Sequence, residues 1–174
     1  MTTDNDTFNA WMSKFDPLLR SATGNLQVEL HGQRGLLPLY LALGGAEPVW
    51  VVANLAPTGD RDSAFKGKVA VFSSDLVAVA NLESAPTEDR YDTTQAPASG
   101  KITVIVVPRT SLESVEVETP ASPQGPVQTT PAWNRRAVVT LRYTGLTEPF
   151  VAKMDAPGRP IEDFYRALMD DLAK

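Results

Sequence analysis

The chain has 174 residues, 43% of them hydrophobic and 21% charged, with a formal net charge of −5. That length suits one domain able to bury ~70% of its unfolded surface, and the composition is neither that of a disordered chain nor that of a membrane-spanning one. The absence of cysteine removes disulfides, thiol nucleophiles and thiolate metal sites, and a lone histidine, His31, removes any two-histidine metal site within one chain. The acidic balance opposes nucleic acid and anionic membranes. Residues Met1 to Asp6 lack the basic and apolar regions of a secretory signal, and no apolar run approaches the ~20 residues of a membrane helix. Both features point to the cytoplasm.

In chain order, Phe8, Trp11, Met12 and Phe15 recur at helical spacing, with Asp6 or Thr7 as the cap. Pro17 lacks an N–H, so a break is expected there, with Asp16-Pro17 opening a second short turn through Leu18 and Leu19 that ends at Gly24. Residues 1–24 therefore read as a broken helical arm. Its aromatic face either packs on a sheet or presents Trp11 and Phe15 to a partner.

Residues 25–155 read as antiparallel strands. Leu26, Val28 and Leu30 alternate with polar residues, Leu36 to Leu43 is a second apolar run, and Ala46-Glu47-Pro48 is expected to turn a hairpin into Pro48 to Leu55. Lys68 to Phe72 and Leu76 to Leu82 flank Ser73-Ser74-Asp75, a hairpin signature. Ile102 to Val107, Leu112 to Val117, Arg135 to Tyr143 and Glu148 to Met154 follow, the last two joined through Gly145. Loops 84–100 and 119–132 are polar, the second with four prolines, and read as surface excursions within one domain, 1–174. Residues 159–173 close the chain as an amphipathic helix striped by Ile161, Phe164, Tyr165, Leu168 and Leu172.

The search for chemistry is mostly exclusion. Gly59 to Lys68 has the wrong glycine spacing for a phosphate loop, and Val69 stands where a magnesium-binding hydroxyl belongs. Asp60 and Asp62 are followed by Ala64, Phe65 and Val71 where a calcium loop needs oxygen, glycine and glutamate. Glu113, Glu116 and Glu118 lie on a strand whose solvated face would not raise a carboxyl pKa. His31 reads as a surface histidine beside a turn, and no serine sits in a nucleophile elbow. Arg135, Arg136 and Arg142 beside Trp133 suggest a nucleic-acid track, but they divide between two strand faces. No catalytic residue, cofactor or metal is expected. The candidate partner contacts are Trp11, Phe15 and Trp133.

The order of helix, many antiparallel strands and terminal helix resembles the bacterial pleckstrin-homology-like domains over roughly residues 48–173. Lys68 to Ala80 is similar to their hairpin through a short polar turn. Val107-Pro-Arg-Thr-Ser-Leu-Glu-Ser-Val-Glu-Val117 is similar to their proline, turn and alternating strand, and Phe164 to Leu172 to their capping helix. The resemblance implies an α+β, mainly β fold, a strongly curved antiparallel sheet forming a partly open barrel or roll. It also implies a non-enzymatic protein-interaction or scaffolding module, self-association included, whose partner is an unknown protein or a second copy. A small-molecule carrier, with an apolar ligand between sheet and helix, is the alternative. Neither nucleic acid nor strong membrane binding is expected.

Overall fold

In the computed structural model, residues 3–23, 33–57, 64–86, 101–118, 137–154 and 161–174 are described. They form α1 (Thr3–Thr23), α2 (Gln33–Ala42), β1 (Trp50–Pro57), β2 (Ala64–Phe72), β3 (Leu76–Pro86) and β4 (Lys101–Pro108). A 3₁₀ turn (Arg109–Ser111) then leads into β5 (Leu112–Glu118), β6 (Ala137–Tyr143), β7 (Phe150–Met154) and α3 (Ile161–Leu172). The expected strand at Leu26–Leu30, His31, Trp133, Arg135, Arg136 and most of the two long loops lie outside the described residues. Residues 84–86, expected as loop, instead extend β3.

Two antiparallel meanders make the β layer, one in the order β1-β2-β3-β4 and one in the order β5-β6-β7. The fold is α+β and mainly β, and among the described residues the sheets do not close into a barrel. The β2–β3 hairpin turns where expected. Ser73 accepts at Oγ from the Leu76 N–H at 3.0 Å, and its own N–H bonds the Leu76 carbonyl at 2.9 Å. Where the two sheets meet, the Asn54 side-chain amide donates to the Val151 carbonyl at 3.4 Å.

The middle of the four-stranded sheet is buried on both faces. On one face Val52, Ala70, Phe72, Val77 and Val79 join Val139, Leu141 and Phe150 of the second sheet and Phe164 and Leu168 of α3. On the other, Ala53, Val69, Val71, Ala78, Ala80 and Leu82 lie under Phe8, Trp11, Phe15 and Leu19 of α1 and Leu39 and Leu43 of the second helix and its end. Strands covered on both sides read as continuous apolar runs, and Lys68–Phe72 and Leu76–Leu82 do so.

Three expectations about the N-terminal half are corrected. First, α1 runs through Pro17 without a break. Pro17 is solvent-exposed, and an interior proline costs ~3 kcal/mol or more. Burial of Phe8, Trp11, Phe15 and Leu19, at ~1.5–3 kcal/mol each, outweighs that penalty. Second, Leu36–Leu43 is helix, not strand. A strand would set Leu37, Leu39, Leu41 and Leu43 on one face, whereas Leu39 and Leu43 are each 2% exposed and Leu37 and Leu41 are 40% and 64% exposed. Third, Ala46-Glu47-Pro48 joins a helix to a strand and makes no hairpin. The turn comes earlier, at Gly44 and Gly45, whose φ angles of 60° and 75° end α2 in a Schellman cap. There Gly45 N–H bonds the Tyr40 carbonyl at 3.0 Å and Gly44 N–H the Leu41 carbonyl at 3.0 Å.

Candidate interaction surface

The aromatic face of α1 is interior. Trp11 is 4% exposed and Phe15 is fully buried; their rings stack at 4.8 Å, and Tyr40 meets Trp11 edge-on at 5.7 Å. The Trp11 indole N–H donates to the Ala46 carbonyl at 2.9 Å, so its one polar atom is satisfied inside the chain. The expected patch around Trp11 and Phe15 is therefore corrected to core: helix-spaced aromatics pack on the sheet. Trp133 lies outside the described residues.

Among the described residues α3 packs directly on the sheet. Phe164 is buried, edge-on to Phe72 at 5.2 Å and tilted against Trp50 at 5.6 Å. Among the described residues these rings occupy part of the place where the carrier reading sets its ligand. The α3 stripe is also narrower than expected, because Tyr165 and Leu172 are exposed while Asp171 is buried.

Asp171 belongs to a clasp. Arg109 Nε bonds its Oδ2 at 2.7 Å and Arg109 Nη1 bonds the Ser73 carbonyl at 3.1 Å, so one guanidinium ties the 3₁₀ turn to both α3 and the β2–β3 turn. Nearby, the Tyr143 hydroxyl is buried with no hydrogen-bond partner among the described residues. Burial, followed by the Asp171 charge, raises the Tyr143 pKa, with Arg109 opposing. The sequence pattern gave no hint of this cluster, since its members are scattered over some hundred residues and each looks like an ordinary surface polar group.

An open cavity of about 510 Å³ lies at the far end of the four-stranded sheet, where Asn54, Lys66, Asn81 and Glu83 line it. Its charges are mixed. Lys68, next along β2, donates to Glu148 at 2.9 Å and holds that carboxyl below its ordinary value. Elsewhere Glu116 pairs with Arg142 at 3.5 Å and Glu113 accepts from the Thr144 hydroxyl at 2.5 Å. Glu113, Glu116 and Glu118 of the expected carboxylate row are thus all exposed, and the first two are partnered. No group of three or more His, Cys, Asp or Glu among the described residues is placed to hold a metal ion.

The remaining feature is an edge. β4 pairs with β3 and with no other strand among the described residues. Between Lys101 and Pro108 it reads Ile102-Thr-Val-Ile-Val-Val107, without a charge, and Ile105 is 39% exposed. Ile102, Val104 and Val106 are partly buried on the same face as Leu39 and Leu43, so α2 packs over that face of the edge, with Leu37 and Leu41 exposed on the side of the helix turned away from the sheet. Natural edge strands are commonly guarded by charge or proline along their length; here both stand only at the ends.

No protein-family model matches the sequence, and no curated protein matches it. Among solved structures, one likeness is to the crystal structure of a pleckstrin homology domain from Shewanella amazonensis. It has 15% identity and a TM-score of 0.39, over 80% of this chain and 99% of that one. A second is to a DUF1696 family protein with a pleckstrin-homology domain from Shewanella loihica, at 15% identity and a TM-score of 0.38, over 78% and 91% of the two chains. These structural neighbours are bacterial pleckstrin-homology domains. At that identity and TM-score no ligand or partner passes from them to this chain. No helix among the described residues is long and apolar enough to cross a membrane.

Proposed function

We propose that this chain is a non-enzymatic protein-interaction or scaffolding module of pleckstrin-homology-like type. The observation that carries the reading is the charge-free β4 edge, with Ile105 exposed on one face and α2 packed over the other. A sheet edge with unpaired N–H and C=O groups supplies affinity by strand addition, and exposed apolar side chains beside it supply selectivity. The titratable groups favour the same reading: Arg109 and Asp171 are engaged in holding α3, Lys68 and Glu148 in a surface pair.

The test is in-cell photocrosslinking of the full chain with a photoreactive residue at position 41 and, as control, at the exposed Arg166 position of α3. A discrete protein adduct from position 41 alone is the expected result. Equal labelling from both positions, or none from position 41, overturns the reading.

A further inference from the structure

We infer that the occupant of the β4 edge is the β4 edge of a second copy, paired antiparallel about a two-fold axis through Val104; this rests on the interaction-module reading above. The direction of each backbone group can be worked out from the ladder. The Arg109 N–H bonds the Asp75 carbonyl at 2.8 Å, continuing the register in which Leu76 faces Pro108. Antiparallel pairs alternate along the strand, so Lys101, Thr103, Ile105 and Val107 direct their peptide groups to β3. Ile102, Val104 and Val106 direct theirs outward. Pro108 falls at the next outward position, where the missing N–H closes the edge.

A two-fold axis perpendicular to the sheet keeps each face on its own side, so only residues of like parity pair across it. Centred on Val104, the pairing sets Ile102 against Val106 and Val104 against itself, which uses every outward N–H for about six backbone hydrogen bonds. Shifting the centre to Thr103 leaves the Val106 N–H without a partner inside the strand, and shifting it to Ile105 sets Ile102 against Pro108, which has no N–H to donate. In the Val104 register Thr103 meets Ile105 and Lys101 meets Val107, so no like charges oppose. A chain of net charge −5 that meets its own copy faces general repulsion, and an uncharged edge is where that repulsion is smallest. The same axis places both α2 helices, with Leu37 and Leu41, on one side of the joint sheet. Self-pairing of this kind is isologous and closes at two copies.

Sedimentation equilibrium of the purified full chain is expected to return twice the 18.8 kDa chain mass. Thr103→Lys with Ile105→Lys faces lysine with lysine across the axis and is expected to weaken dimerisation at least ~10-fold, since like charges directly opposite destabilise a strand pair. Both positions are exposed, and an unchanged circular dichroism spectrum confirms folding. Because the chain has no cysteine, Val104→Cys introduces a single thiol, which in the proposed register faces its own copy at about 5.5 Å between Cα atoms, within disulfide range. Oxidation is expected to give a covalent dimer from Val104→Cys and far less from Thr103→Cys or Ile105→Cys alone. A monomer at ~100 μM, a dimer indifferent to the paired lysines, or stronger crosslinking from position 103 or 105 overturns the inference. A monomeric chain that still gives a heterologous adduct from position 41 overturns self-pairing while leaving the interaction-module reading standing.

Discussion

Gly67 has a φ of +137°, and a Cβ built there would lie 2.1 Å from the Asn54 carbonyl oxygen. It sits at the register shift between Phe65 and Gly67, where β2 bulges against β3. Gly67→Ala combines backbone strain with a collision against main chain that has no flexible end to yield, so a loss of about 2 kcal/mol or more is expected in urea unfolding. Tyr143→Phe should do the opposite. Removing a buried hydroxyl without a partner is expected to leave stability unchanged or raised by up to ~1 kcal/mol. The raised pKa has a sign that can be checked: the folded tyrosine keeps its proton where the unfolded one, near its ordinary value of about 10, loses it. Stability from this source is complete below pH ~10 and declines as pH rises above it; thermal melts from pH 8 to 11 should therefore fall less steeply for Tyr143→Phe.

At the scale of elements, α3 is held by apolar contact and by the Arg109–Asp171 clasp. Phe164→Ala or Leu168→Ala is expected to cost about 2–5 kcal/mol, while Tyr165→Ala on the exposed side should stay within ~0.5 kcal/mol. Arg109→Ala leaves the buried Asp171 carboxylate, among the described residues, with only the exposed Lys174 ammonium at 3.8 Å, and a loss of about 3 kcal/mol is expected in the same assay. Most strands were legible because alternation and turn chemistry agree, as in Ser73-Ser74-Asp75. The α2 segment was not, because leucine at every odd position from 37 to 43 satisfies a period of two while the two glycines after it satisfy a helix cap. Tertiary contact decided it: Leu39 and Leu43 reach the sheet only from a helix. Pro17 misled for a related reason, since local propensity has no knowledge of the aromatic column buried on the opposite side of α1. The candidate site was less legible still, because edge status depends on which strands pair, and Ile102–Val107 looks the same in sequence whether central or peripheral.

For the whole molecule, charge decides what the surface will not do. The cavity end of the four-stranded sheet offers Lys66 beside Glu83, with Lys68 engaged by Glu148, on a chain of net charge −5. Surface cations contribute ~1 kcal/mol each near an anionic bilayer, too little here to hold the protein. Co-sedimentation with vesicles rich in anionic lipid at physiological salt is expected to leave the protein in the supernatant; pelleting lost in Lys66→Glu would show that this end reads lipid after all.

The four-stranded sheet is a wall shared by two cores, with α1 and α2 on one side and the second sheet and α3 on the other. Its middle strands, β2 and β3, are hydrogen-bonded along both edges and covered on both faces, so no local fraying reaches the peptide groups between Val69 and Phe72 or between Val77 and Ala80. In deuterium oxide those amide protons can exchange only when both cores open together. Their exchange rates should converge on a single slow value set by global unfolding, and cavity-forming substitutions as far apart as Phe15→Ala and Phe164→Ala, on opposite sides of the wall, should accelerate the same set of amides.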